Sequence, residues 1–214
     1  RPLARIGKRM AWRSRRSGGA LGIALALALA AMGQAPVGSR WTPKGKAQMK
    51  GERKHASGPS VIQREKEKAP IARENFVKYV EDGHYDNTLF HRVIDGFMVQ
   101  GGGMEPGMMQ KPTRKTIAHE GANGLKNKKY TLAMARTGDP HSASSQFFIN
   151  SADNDVLDLK SPGGQGWGYC VFGKVVGGTD VVDKIRKVDT ATSGLHENVP
   201  KEDVVLEHAE VLAA

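Results

Sequence analysis

The residues best suited to chemistry lie in one stretch, Leu89 to Gly103, which reads LFHRVIDGFMVQGGG. Two apolar runs flank Asp95-Gly96, and three glycines follow. Arg92 stands inside the first run, where a buried charge is costly without a partner. On an alternating strand Phe90, Arg92 and Ile94 share a face, so apolar neighbours would place the guanidinium and limit its exposure. A guanidinium stays charged and holds its donors in a rigid fork, which suits it to favour one geometry of a bound group over another. Read one at a time, these residues have plainer roles. Arg92 would be an ion-pair partner at a strand edge, Phe97, Met98 and Phe148 would be core, and Gln100 and Gln146 would be solvated strand positions.

Other chemistries fit poorly. GGGMEPGM has no lysine after Gly107 and breaks the G-x-G-x-x-G spacing at Pro106, so it is no phosphate loop. The seven histidines form neither an H-x-x-x-H pair nor H-E-x-x-H, so no metal is expected. Ser142, Ser144 and Ser145 lack a nucleophile-elbow context. Cys170 is the single cysteine, which rules out an internal disulfide, and its strand-like setting, GYCVFGKVV, reads as a small buried hydrophobe.

The elements that must position Arg92 begin near Ala69. Pro70 suits a first helical turn, Ile71, Phe76, Val77 and Val80 form an apolar face, and Gly83 can end that helix. Strand-like runs follow: TLFHRVI, GFMVQ, YTLAMA, SQFFIN, YCVFGKVV and DVVLEHAEVL. Asp95-Gly96 is a tight-hairpin signal. A second helix fits Thr179 to Val188, with Thr179 as cap and Val181, Val182, Ile185 and Val188 facing inward. Many strands with two separated helices predict a mostly β domain, an antiparallel barrel with helical caps, over residues 66–214.

Residues 1–65 read differently, as a basic leader. Residues 1–68 hold 16 Lys and Arg against 3 Asp and Glu, a net of +13; the remaining 146 hold 16 against 19, a net of −3. All the basicity is therefore in the leader, and no nucleic-acid groove is expected on the body. Ala20 to Gly33 is apolar behind Arg13, Arg15 and Arg16, which fits a signal-peptide core and is short for a spanning helix. If that signal is real the protein is periplasmic or secreted; otherwise it is cytoplasmic. Residues 36–68 keep no period and are expected to be a disordered linker. Charge alone would also let residues 1–54 meet RNA or an anionic membrane.

The ordered blocks of the body resemble the cyclophilin family of peptidyl-prolyl cis-trans isomerases. KAPIARENFVKYVEDGHYDNTLFHRVIDGFMVQGGG is similar to the family's first helix and signature hairpin, YTLAMARTGDPHSASSQFFIN to its second signature, and GYCVFGKVVGGTDVVDKI to the strand and helix that follow. ENVPKEDVVLEHAEVL resembles its closing strand, and the likeness is nearest to bacterial members. The resemblance implies a closed antiparallel β-barrel capped by two α-helices. It implies catalysis by Arg92 with Gln100 and Phe97. Phe97, Met98, Phe148 and Leu157 would seat the substrate proline. Gln100 and Gln146 would hold peptide backbone, Ala135 and Arg136 would meet the residue before the proline, and Tyr169 would take a position where many members have histidine. No cofactor or metal is implied.

The resemblance further implies that the partners are proline-containing peptides and unfolded or folding proteins, bound by a monomer. A binding module or chaperone using the same groove without turnover is the alternative. Val156 stands where tight cyclosporin binders carry tryptophan, so cyclosporin should bind weakly. Arg136 replaces the asparagine of many members. The family also begins with a strand pair ahead of the first helix. Only Ser60-Val61-Ile62-Gln63 looks strand-like here, so that pair is expected to be missing or degraded, through a wrong-frame leader or damage to the chain.

Overall fold

The computed structural model describes residues 46–49, 60–65 and 67–212. The expected signal-peptide core at Ala20 to Gly33 and most of the expected linker lie outside them. Eight strands form the main sheet: β1 (Lys46–Met49), β2 (Ser60–Arg64), β3 (Arg92–Ile94), β4 (Met98–Gly101), β5 (Thr131–Met134), β6 (Phe147–Asn150), β7 (Val171–Gly177) and β8 (Ala209–Val211). Their order is β8-β1-β2-β7-β5-β6-β4-β3, and every pairing is antiparallel.

Two expectations are corrected here. The strand pair expected to be missing before the first helix is present: β1 and β2 pair from Lys46↔Gln63 to Met49↔Ser60. A four-residue strand is too short to show a period, and β2 hides its pattern by burying Ser60 and Arg64 with Ile62. The barrel, in turn, is not closed by a continuous ladder. No pairing joins β8 to β3; a separate two-stranded sheet, Thr88–Leu89 with Val205–Leu206, lies at that seam. The chain leaves the ladder at Phe90-His91, where the Phe90 N–H donates to the Val204 carbonyl at 2.8 Å.

Registers across the sheet sort side chains into two rows. Val93, Val99, Ile149 and Leu132 lie opposite one another and join the main core. One residue along, Arg92, Gln100, Phe148, Ala133 and Val171 form the row on the other face. Phe90 departs from the predicted alternation: it is 1% exposed in the main core and does not share the face of Arg92. The cause is again the break at Phe90-His91, since period two holds only along a continuous strand.

Helix α1 (Pro70–Glu81) opens with Pro70 and buries Ala72, Phe76, Tyr79 and Val80, while Ile71 is exposed. Phe76 packs against Tyr85, Phe147 and Phe172 at 5.1–5.4 Å between ring centroids. Gly83, with φ +66°, ends it: the Gly83 and His84 N–H groups donate to the Val80 and Tyr79 carbonyls. Helix α2 (Thr179–Ile185) is shorter than predicted. Its cap is Gly178 in the left-handed region (φ +70°), not Thr179, and Val188 packs from the turn beyond it. Arg64 is the anomaly of the core edge. It is 7% exposed, and its Nε and Nη1 find no hydrogen-bond partner among the described residues. Burial, with Arg73 nearby, pushes its guanidinium down to about 10.

Candidate active site

The outer row of the sheet is floored by a second apolar cluster. Met98, Ala133, Phe148 and Val171 are buried, and Ile94, Phe97, Leu125, Ala135, Leu157 and Tyr169 pack around them. Above this floor opens a cavity of about 550 Å³. All ten residues singled out in the sequence line it: Arg92, Phe97, Met98, Gln100, Ala135, Arg136, Gln146, Phe148, Leu157 and Tyr169.

The strand registers explain the gathering. Arg92 faces Gln100 across β3 and β4, and Gln100 faces Phe148 across β4 and β6. The hairpin joining β3 to β4 turns at Asp95-Gly96-Phe97, with the Phe97 N–H donating to the Ile94 carbonyl at 3.1 Å. Gly96 supplies the single positive φ (+70°) of that turn, which places Phe97 at the cavity. The glycines after Gln100 clear space. A Cβ on Gly103 would lie 2.4 Å from Gln146 Cγ, and one on Gly102 would meet Tyr85 and Phe147. The open volume at Gly103 lets Gln146 reach Gln100, whose Nε2 donates to Gln146 Oε1 at 2.9 Å.

The two arginines of the cavity are in different states. Arg136 commits its donors: Nε donates to the Gly168 carbonyl at 2.9 Å and Nη1 to the Thr137 carbonyl at 2.8 Å. Its guanidinium lies 4.8 Å from the Tyr169 ring centroid, and Tyr169 meets Phe148 edge-on at 5.4 Å. The Arg92 side chain makes no ion pair or hydrogen bond with any described residue. A half-buried cation with free donors above an apolar floor is free to meet a polar group that a ligand carries in.

Several residues of the site were invisible to the sequence reading. His91, Met104, Leu195, His196 and Glu197 also line the cavity. Leu195, His196 and Glu197 come from a hairpin of Thr190–Ser193 with His196–Pro200, which packs against β3. The motif ENVPKEDVVLEHAEVL reaches the second strand of this hairpin, but nothing in it points to the cavity. His91 is 6% exposed; burial pushes its ring down to about 4, so it is neutral at pH 7. Behind the floor runs a buried amide network. Asn154 Nδ2 donates to the Phe97 carbonyl at 2.7 Å and to Asn150 Oδ1 at 2.7 Å. Asn127 Nδ2 donates to the Leu157 carbonyl at 3.0 Å, and Asn150 Nδ2 to Asn127 Oδ1 at 3.2 Å. The network ties both loops that carry the floor to the sheet. Asn150 ends the strand β6, and no sequence motif marks Asn127 or Asn154.

Two further placements bear on the sequence reading. Val156 is 71% exposed in a 3₁₀ turn and does not line the cavity. Cys170 is buried, and burial pushes its thiol up to about 12, as befits a packing residue. Among the described residues no group of three or more His, Cys, Asp or Glu could hold a metal ion, and no helix is long and apolar enough to cross a membrane.

The family model for cyclophilin type peptidyl-prolyl cis-trans isomerase/CLD matches residues 51–211. Peptidyl-prolyl cis-trans isomerase B of Escherichia coli (strain K12) is 58% identical over 154 residues, covering 72% of this chain and 94% of that protein. Peptidyl-prolyl cis-trans isomerase cyp18 of Streptomyces antibioticus is 52% identical over 157 residues, covering 73% and 95%. Among solved structures, a cyclophilin type peptidyl-prolyl cis-trans isomerase of Cryptosporidium parvum, in the presence of the dipeptide Ala-Pro, superposes with a TM-score of 0.60 at 24% identity. It covers 73% of this chain and 94% of its own, and shows the shared fold. With a family match spanning three quarters of its length and bacterial relatives more than half identical to it, this chain belongs to the cyclophilin-type peptidyl-prolyl cis-trans isomerases.

Proposed function

We propose that this chain catalyses rotation about X-Pro peptide bonds in proline-containing peptides and folding chains, with Arg92 as the catalytic group. The observation that carries the assignment to Arg92 is its free guanidinium in a cavity whose apolar floor includes Phe97, Met98, Phe148 and Leu157.

Amide resonance resists rotation by ~18–20 kcal/mol. X-Pro bonds populate both isomers but exchange over tens to hundreds of seconds. No covalent bond has to be made or broken, so the catalyst needs only to bind the twisted amide better than either planar form. In the twisted state the proline nitrogen is pyramidal and regains its lone pair. The pyrrolidine ring sits on Phe97, Met98, Phe148 and Leu157, and an Arg92 N–H donates toward that nitrogen. Gln100 and Gln146, coupled to one another, hold the peptide backbone. The backbone of Ala135 and Arg136 aligns the residue before the proline, while the Arg136 side chain stays on Gly168 and Tyr169. Cyclosporin binds weakly in this reading, because exposed Val156 offers it little surface.

The test is cis-to-trans exchange of an Ala-Pro-Phe peptide measured by NMR. A charged hydrogen bond is worth about 1.5–3 kcal/mol, so Arg92→Ala should lower kcat/KM about 10- to 100-fold. Peptide affinity should stay near that of the unmodified protein. Loss of affinity and turnover together would remove Arg92 from catalysis, and binding without any acceleration would leave a peptide-binding module.

A further inference from the structure

A second cleft borders the hairpin that walls the proline cavity. His196 lines both the proline cavity and this cleft, of about 620 Å³. This cleft is bordered by the apolar side chains of Met108, Ala191, Val199 and Pro200, with Lys201 and Asp203 as charged members. Leu195, 99% exposed at the hairpin turn, stands beside His196 and lines the proline cavity.

The backbone around the cleft is unusual. Four described non-glycine residues have positive φ, and two of them are here: Met108 at +61° and Asn198 at +58°. Met108 lines the cleft, and its N–H donates to the Glu105 carbonyl at 3.0 Å. Asn198 lies on the hairpin strand between His196 and Val199. Left-handed backbone at a methionine is strained, and such strain gathers at ligand-binding sites.

We infer that this cleft is a subsite for an apolar side chain of the substrate, about three residues beyond the proline on its C-terminal side. The inference rests on the isomerase reading above. There the residue before the proline lies along Ala135 and Arg136, which follow β5. The hairpin packs on β3, at the opposite end of the row from Arg92 to Ala133, so the chain leaving the proline passes over Leu195 and His196. A cavity of about 550 Å³ is about 10 Å across, and an extended chain covers that in about three residues. An apolar occupant fits four apolar border residues; its burial there strengthens binding without touching the reacting amide.

The experiment compares two peptides, Ala-Ala-Pro-Ala-Ala-Leu-Ala and Ala-Ala-Pro-Ala-Ala-Ser-Ala, on the full chain. The leucine peptide should be turned over with a kcat/KM about tenfold higher. Ala191→Trp, which fills the cleft, should abolish that preference and leave exchange of Ala-Pro-Phe at the unmodified rate. The Met108 methyl signal should shift on adding the leucine peptide and stay in place with the serine peptide. Equal turnover of the two peptides, a preference that survives Ala191→Trp, or an unmoved Met108 methyl would overturn the inference. Failure to accelerate even Ala-Pro-Phe would instead overturn the isomerase reading beneath it.

Discussion

Adding one methyl group at Gly103 should separate site geometry from fold stability. A Cβ there would lie 2.4 Å from Gln146 Cγ and 2.7 Å from its Cδ and Nε2. Carbon atoms in contact prefer about 3.5–4.0 Å, so the glutamine has to move. The Gly103 backbone is outside the left-handed region, so alanine adopts it without strain. Turning the Gln146 side chain breaks its bond from Gln100 (2.9 Å) but spares its backbone carbonyl, which accepts from the Ala135 N–H at 3.0 Å. A partly buried hydrogen bond is worth about 0.5–1.5 kcal/mol net, so kcat/KM should fall about 2- to 10-fold. Stability should hardly change, because Gln146 is only half-buried. Gly102→Ala is the contrast. Its φ is +82°, and its Cβ would meet Tyr85 Cε1 at 2.8 Å and Phe147 Cδ1 at 2.9 Å, on rings fully buried in the core. Left-handed strain of about 1–2 kcal/mol and overpacking of about 1–3 kcal/mol should lower stability by about 2–5 kcal/mol. Peptide exchange by NMR and urea unfolding monitor the two effects. Full activity in Gly103→Ala, or a loss of stability equal to that of Gly102→Ala, would refute the reasoning.

Two further outcomes follow from buried charge. The folded His91 ring, pushed down to about 4, binds its proton less readily than in the unfolded chain. Its contribution to stability is therefore complete above pH ~6.5 and is lost as pH falls through the window toward 4, by up to about 3 kcal/mol. His91→Gln should flatten that part of the stability–pH curve relative to the unmodified protein; a His91 titration midpoint near 6.5 by NMR would contradict it. Arg64→Leu should raise the urea midpoint, removing a buried guanidinium with two unpartnered nitrogens at a gain of about 1–3 kcal/mol. An unchanged or lower midpoint would show that the charge is better accommodated than its surroundings suggest.

Much of the site was legible in the primary sequence because it is built on one hairpin and two strands. Arg92, Phe97, Met98 and Gln100 sit within nine residues, and a Gly-containing turn between apolar runs sets their pairing. Ala135, Arg136, Gln146 and Phe148 belong to the next two strands of the same sheet or flank them, so the ordered motifs carried them along. What the tertiary structure decided are the contacts made by residues distant in sequence. Phe90 turns into the core because the strand breaks beside it, and period two cannot announce its own interruption. The strand pair β1 and β2 is held by β8 and β7, whose partnership no four-residue pattern predicts. The difference between the two arginines is likewise tertiary: Arg136 finds the Gly168 carbonyl 32 residues away, whereas Arg92 is left with its donors free. The hairpin at Leu195 to Glu197 reaches the cavity only by packing on β3, a hundred residues earlier in the chain. Local pattern reports which face a side chain prefers; which groups meet there, and which donors remain unused, depends on long-range packing.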